Sequence, residues 1–112
     1  MTDPVLTAIH GALRGLSARQ RAIADNVANI QTPGYRASRV DFEASLGAAL
    51  ADGGDTPVEY RFSKSVDPTR LDGNNVNLDT ESLSATETNL KYQAMVETIN
   101  AKFGLLRDAI KG

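Results

Sequence analysis

Residues 4–30 read PVLTAIHGALRGLSARQRAIADNVANI, and a large apolar side chain returns in this segment every three or four residues. This spacing is typical of a helix that packs along one seam against another helix. Asp3 can cap the start of the helix, and Pro4 suits its first position. The turn Thr32-Pro33-Gly34-Tyr35 should end it, because Pro33 has no amide hydrogen and Pro-Gly fits a type II turn. The seam positions are Leu6, Ile9, Leu13, Leu16, Ile23, Val27 and Ile30, with Gln20 as the polar member.

A second helical pattern runs from about Thr80 to Ile110. Its seam positions are Ala85, Asn89, Tyr92, Val96, Ile99, Phe103, Leu106 and Ile110, again three or four residues apart. The two patterns predict a mainly α fold in which long N- and C-terminal helices pair as a D0-like coiled coil, either parallel or antiparallel. The predicted organisation is one domain with an N-terminal helix in residues 1–31, a central segment in 32–79 and a C-terminal helix in 80–112.

The central segment is expected to be short and partly irregular. Phe42, Leu46 and Leu50 predict one short helix, because they recur every four residues. Apolar and polar residues alternate in 58–63, which predicts a strand, and residues 75–78 are a possible partner strand. Arg36 and Arg39 are too few to form a phosphate-binding groove and are expected to be solvated.

Composition argues against several classes of function. The chain has 112 residues, a net charge of −2, no Cys and a single histidine, His10. A nucleic-acid-binding domain would carry a clustered basic excess. No nucleophile, base and oxyanion site come together in the sequence, so we expect neither an enzyme nor a metal or cofactor site. No apolar run approaches the ~20 residues that span a bilayer. The N-terminus also lacks the pattern of a cleaved signal peptide.

The faces away from the two seams are also apolar. A helix that is apolar on two faces is buried on two faces, so the chain is under-buried as a monomer. The glycines within the first helix have two interpretations: tolerated drift in composition, or small side chains that let neighbouring backbones approach closely. The residues predicted to pack against neighbouring subunits are Gly11, Gly15, Ala18 and Ala22 on the first helix and Leu90, Ala94, Ala101 and Leu105 on the second.

Two stretches resemble a known family. Residues 25–37, DNVANIQTPGYRA, are similar to the N-terminal signature of bacterial flagellar rod and hook proteins. Residues 71–81, LDGNNVNLDTE, followed by NLKYQ at 89–93, resemble the proximal rod branch of that family. The residues that carry the resemblance are Asn26, Asn29, Thr32, Pro33, Gly34, Tyr35, Leu71, Asp72, Gly73, Asn74, Val76 and Asp79.

The resemblance implies a structural subunit of the flagellar basal-body rod that polymerises through its terminal helices into a helical tube. It implies export through the flagellar type III apparatus without a cleaved signal, and assembly in the periplasm. The implied partners are other copies of the chain, other proximal rod proteins, the MS-ring adaptor FliE and the export gate. The alternative is a small helical-hairpin adaptor or export chaperone that dimerises through one seam. Such a closed dimer would have no use for the second apolar face.

Overall fold

A computed structural model describes residues 3–111. Met1, Thr2 and Gly112, at the ends of the predicted helical segments, lie outside the described residues. The elements in chain order are α1 (Pro4–Ala28), β1 (Ser38–Asp41), α2 (Glu43–Ala51), β2 (Arg61–Lys64) and α3 (Leu78–Lys111). The predicted fold class, mainly helical with long terminal helices and a short middle segment, is therefore confirmed.

Local signals set both ends of α1. The Asp3 carboxylate accepts a hydrogen bond from the backbone N–H of Val5 at 2.8 Å, as an N-cap residue does. After the helix, the N–H of Tyr35 donates to the carbonyl of Thr32 at 3.2 Å. Gly34 between them has φ +75°, which suits the third position of a type II turn. The predicted cap and the predicted turn are both present, but α1 ends at Ala28, two residues before the predicted end at Ile30.

The two long helices run antiparallel, an orientation that the seam patterns left open. Three side-chain contacts join α1 to α3: Asp3 to Lys102 at 2.9 Å, Gln20 to Asn89 at 2.8 Å, and Asn26 to Glu81 at 3.1 Å. The residue number on α3 falls as the number on α1 rises, which only an antiparallel pair produces. Gln20 and Asn89 are the polar members of the two predicted seams, and the side-chain nitrogen of Gln20 donates to the side-chain oxygen of Asn89.

The predicted seam is only partly covered within the chain. Ile9, Leu16 and Ile99 are buried, and Leu6, Leu13, Ile23, Ile30, Tyr92 and Val96 are half-buried. The prediction is wrong for Phe103, Leu106 and Ile110, which are exposed, and for Val27, which is also largely exposed. For the three residues of α3, the cause lies in the lengths of the helices. Asp3 already lies opposite Lys102, so the last turns of α3 extend past the first residue of α1.

The middle segment forms a two-stranded antiparallel sheet and the short helix α2. β2 overlaps the strand predicted in residues 58–63, and α2 confirms the predicted helix. The partner of β2 is β1, with Val40 opposite Phe62, and the prediction of a partner strand in 75–78 is wrong. Leu78 instead begins α3. β1 was not predicted because Val40 is its only apolar residue, so the strand carries no alternating pattern.

The small residues of α1 are covered by the middle segment of the same chain, which corrects the subunit-packing role predicted for them. Gly11, Gly15, Ala18 and Ala22 are all buried. A Cβ atom on Gly11 would lie 2.5 Å from Cβ of Val58, and one on Gly15 would lie 2.6 Å from the ring of Phe42. The glycines therefore allow the middle segment to approach the α1 backbone. α3 covers another side of the same helix.

None of the helices among residues 3–111 is both long enough and apolar enough to cross a membrane.

Candidate functional site

The two family-like motifs meet at the end of the hairpin where α1 finishes and α3 begins. Their contact is built from polar side chains that are buried or half-buried. We call this cluster the polar junction, and its members are Asn26, Arg39, Asn74, Asn75 and Glu81.

Asn26 ties α1 to β1. Its side-chain nitrogen donates to the carbonyl of Ser38 at 3.0 Å, and its side-chain oxygen accepts from the N–H of Ser38 at 2.8 Å. The amide thus pairs with both backbone groups of one residue, much as a neighbouring strand would. The Tyr35 hydroxyl donates to the same oxygen at 3.3 Å. Asn26 is fully buried, so these bonds replace those that water would make.

Asn74 closes the turn that follows α1. Its side-chain nitrogen donates to the carbonyls of Asn29 and Thr32, both at 2.9 Å. Its side-chain oxygen accepts from the N–H of Val76 at 2.7 Å. The carbonyls at the end of a helix have no partner within the helix, so a buried amide that reaches them stabilises this end. Asn74 in the second motif thereby holds the first motif in place.

Asn75 fastens the strand region to the segment before α3. Its side-chain oxygen accepts from the N–H of Ala37 at 2.7 Å, and its nitrogen donates to the carbonyls of Ser65 and Asp67, both at 3.2 Å. One side chain therefore bridges the residues next to both strands.

Two glycines allow the motif turns to touch. Gly73 has φ +83°, and a Cβ atom on it would lie 3.2 Å from Cα of Gly34, whose own φ is +75°. The N–H of Gly34 also donates to the carbonyl of Asp72 at 2.8 Å. Side chains at either glycine would strain the backbone, because positive φ is unfavourable for other residues.

An ion pair with a buried carboxylate completes the polar junction. The Arg39 guanidinium lies 2.8 Å from Oε1 of Glu81, a carboxylate with no exposed surface, and Asn26 donates to the same oxygen at 3.1 Å. Oε2 of Glu81 has no hydrogen-bond partner among the described residues. Arg39 was expected to be solvated, and this expectation is wrong because the residue pairs with a carboxylate 42 positions away in the sequence. Removing one member of a fully buried pair typically costs about 3–5 kcal/mol, and the cost here should be smaller because the Arg39 side chain is 32% exposed.

The chemistry of the junction is structural. The side chains of Asn74 and Asn75 form their hydrogen bonds with the backbone of the same chain. Asn26 bonds to that backbone and also to the side chains of Tyr35 and Glu81. Within residues 3–111, no three His, Asp or Glu side chains lie close enough together to hold a metal ion. The arrangement fixes the geometry of two turns and of the helix pair.

The motif residues divide between the interior and the surface. Asn26, Asn74 and Val76 are buried, whereas Leu71 and Asp79 are exposed. Sequence reasoning did not include Asn75, Arg39 or Glu81 among the site residues. For Glu81 a signal existed, because it lies 7 residues before Thr88 and 18 before Ile99, close to whole turns of a helix. The side chains of Glu81, Thr88 and Ile99 are all buried on one face of α3.

A second ion pair connects the middle segment to α1. The guanidinium of Arg19 donates two hydrogen bonds of 2.7 Å to the Glu43 carboxylate, and it lies 4.8 Å from the ring centre of Phe42. The hydrogen bonds from Arg19 lower the pKa of Glu43 to about 2. The same contact raises the pKa of Arg19.

The opposite face of α3 is open and apolar. The exposed fractions of Leu83, Leu90 and Leu105 are 62%, 62% and 68%. We call the outer stripe the set Leu83, Leu90, Ala94, Ala101 and Leu105, whose spacings of 7, 4, 7 and 4 place it on one face of the helix. Leu83 extends the surface that the sequence predicted for subunit packing on this helix. The outer stripe is exposed in the single chain.

Comparisons with known proteins all identify similarity to flagellar basal body rod proteins. A family profile described as "Flagella basal body rod protein" matches residues 8–36. The flagellar basal body rod protein FlgB of Bacillus subtilis is 32% identical, over 93% of this chain and 91% of its own length. FlgB of Cereibacter sphaeroides is 32% identical over 84% of each chain. FlgB of Salmonella typhimurium is 27% identical, over 98% of this chain and 95% of its own length.

Proposed function

The chain belongs to the FlgB family of flagellar basal body rod proteins, and we propose that its two terminal helices carry it into the rod as a structural subunit. The match to the family extends over nearly the whole chain, including both helices and the polar junction between them. The role is mechanical: the chain supplies a rigid helical hairpin and surfaces that bind neighbouring subunits.

The outer stripe is the observation that supports assembly through α3. The same helix buries Glu81, Thr88 and Ile99 on its other side, so it is apolar or buried on two opposite faces. A helix of this kind has a partner on each face. α1 covers one of them, and a neighbouring subunit would cover the outer stripe.

The rival function, a helical-hairpin adaptor or export chaperone, would use one seam to form a closed dimer. In that case the outer stripe would face water permanently, which is unfavourable for three exposed leucines on one helix face. Membership of the FlgB family does not favour this alternative.

The proposed neighbours are other copies of this chain and other proteins of the proximal rod. The adaptor FliE, the export gate and a periplasmic position in the basal body belong to the same proposal. They rest on the similarity of the two motifs to the rod family. The proposed route is export through the flagellar type III apparatus.

The double variant Ala94→Glu/Ala101→Glu tests the proposal. It places two carboxylates and extra bulk on the outer stripe, and the buried face of α3 is untouched. We expect the variant to be made and exported but not retained in the basal body, with loss of motility. The measurements are a motility assay and quantification of the chain in secreted and basal-body fractions.

A matched control is Gln93→Glu/Asn100→Glu, which adds the same charges at the same spacing on exposed positions beside the outer stripe. The control should assemble normally. Wild-type amounts of the Ala94→Glu/Ala101→Glu variant in the basal bodies of motile cells would refute the proposed role of the outer stripe.

A further inference from the structure

A cleft on the α1 side of the molecule combines apolar walls with a basic edge. It encloses about 480 Å³, and its apolar surface comes from Leu13, Tyr60 and Tyr92. Its polar edge comes from His10, Arg14 and Arg21, which follow one exposed face of α1. We call this feature the tyrosine cleft. The polar junction and the ion pair between Arg19 and Glu43 use other residues.

The arginines of the basic edge, Arg14 and Arg21, have no carboxylate within ion-pair distance among the residues that the structure describes. None of the described lining residues is a carboxylate. Uncompensated arginines beside exposed aromatic rings are common at protein interfaces, where an acidic partner supplies the missing charge.

Residues beside the outer stripe carry the opposite charge. Glu87 lies one helical turn before Leu90, Glu97 one turn after Ala94, and Asp108 one turn after Leu105. All three carboxylates are exposed and lack an ion-pair partner among the residues that the structure covers.

Two of the cations on α3 are engaged by carboxylates elsewhere in the chain. Lys91 pairs with Glu43 at 3.5 Å and Lys102 pairs with Asp3 at 2.9 Å. Both lysines are therefore directed toward the rest of their own chain. The outer stripe remains an apolar surface with acidic flanks.

We propose that the outer stripe of one copy docks into the tyrosine cleft of a second copy, so that its carboxylates meet Arg14 and Arg21. Leucine side chains fill the apolar cleft, and opposite charges meet along its edges. This inference rests on the proposed function and names the surface that receives the outer stripe.

The contact is heterologous, because the two surfaces belong to different parts of the molecule. A docked pair leaves one free cleft and one free stripe, so the next copy can bind in the same way. Repetition of a heterologous contact produces a ring or an open helical array, which is the geometry a rod subunit needs.

Crosslinking between two singly substituted chains tests the contact, and the absence of native cysteine makes each introduced thiol unique. Ser17 lines the cleft and Ala94 lies on the outer stripe. Cells that co-express the full-length Ser17→Cys and Ala94→Cys chains supply basal bodies, which are treated with a short bis-maleimide. We expect a crosslinked dimer from the mixture and none from either variant alone.

The other outcomes separate the inference from the proposed function. A dimer formed by Ala94→Cys alone would mean that the outer stripe packs against itself, which overturns the cleft but leaves the stripe as a subunit contact. Incorporation of both variants without any crosslink would also overturn the inference. Absence of the wild-type chain from basal bodies would overturn the proposed function itself.

Charge reversal provides a second test that does not depend on thiol placement. Arg14→Glu/Arg21→Glu, added to the Ser17→Cys chain, should lower the yield of the mixed dimer by about tenfold or more, because like charges then meet. Adding Glu87→Lys/Glu97→Lys to the Ala94→Cys chain should restore it. The control Arg107→Glu changes an exposed arginine outside both surfaces and should have no effect. Failure of the reciprocal reversal to restore the dimer would contradict the proposed pairing.

Discussion

Replacing Asn26 by Ala should destabilise the folded chain far more than the removal of an exposed amide. Asn26 has no exposed surface and makes four hydrogen bonds through its side chain. The variant removes the side-chain groups that bind the N–H and the carbonyl of Ser38. It also removes one of the two side chains that bind the Glu81 carboxylate, and Arg39 is the other.

The magnitude follows from how many buried groups lose a partner. Each buried donor or acceptor left unsatisfied costs about 1–3 kcal/mol, and more when it is charged. The Ser38 N–H and the Glu81 carboxylate are the two groups with most to lose, so we expect a loss of about 3–5 kcal/mol in the free energy of unfolding. Small domains have about 5–15 kcal/mol in total, so much of the variant would be unfolded at modest denaturant concentrations.

Urea denaturation followed by circular dichroism measures this loss. The control is Asn100→Ala, an exposed amide on α3 that should change stability by about 0.5 kcal/mol or less. The slope of the transition should stay the same in both variants, since the folded surface is unchanged. If Asn26→Ala and Asn100→Ala had the same midpoint, the polar junction would not stabilise the hairpin as argued.

Two further outcomes concern the attachment of the middle segment to α1. Because contact with Arg19 lowers the pKa of Glu43 to about 2, the stability from this pair is present above the usual pKa of 4.5 and is lost as pH falls through about 2. Because the Glu43 carboxylate is about half exposed, we expect acid to lower the free energy of unfolding of the wild-type chain by only about 1 kcal/mol more than that of Arg19→Gln. Parallel curves of stability against pH for the two chains would contradict the pairing. Gly15→Ala should cost about 1–3 kcal/mol, because the added Cβ would lie 2.6 Å from the Phe42 ring. Gly47→Ala on α2 meets open space and should stabilise by about 0.5–1 kcal/mol, and equal effects in thermal melts would show that the ring moves aside.

The elements that could be predicted from the sequence are those whose signals are local. Asp3 lies directly before α1, the Pro33-Gly34 turn follows it within a few residues, and the apolar spacing of each helix repeats over many turns. The short helix α2 also follows from its own spacing. Such features need no knowledge of a partner, because the hydrogen bonds and torsion angles concerned involve neighbouring residues.

The candidate site depended on contacts that no local pattern contains. Asn26 and Glu81 stand 55 positions apart, and Arg39 and Glu81 stand 42 apart. A resemblance to a family identified Asn26 and Asn74 but not the groups they bind. The spacing of Glu81, Thr88 and Ile99 is consistent with one face of a helix, but only the fold places the Glu81 carboxylate beside Arg39.

For the apolar faces of the two long helices, the sequence likewise predicts the pattern but not the contacts. Periodicity established that both helices have more than one apolar face, but it cannot say what covers each face. The fold covers Gly11 and Gly15 with the middle segment of the same chain and leaves Leu90 and Leu105 exposed. The antiparallel orientation also leaves the end of α3 beyond the start of α1. Whether an apolar face is buried depends on the segment that packs against it. Only the tertiary structure decides this, because the segments in contact are distant in the sequence.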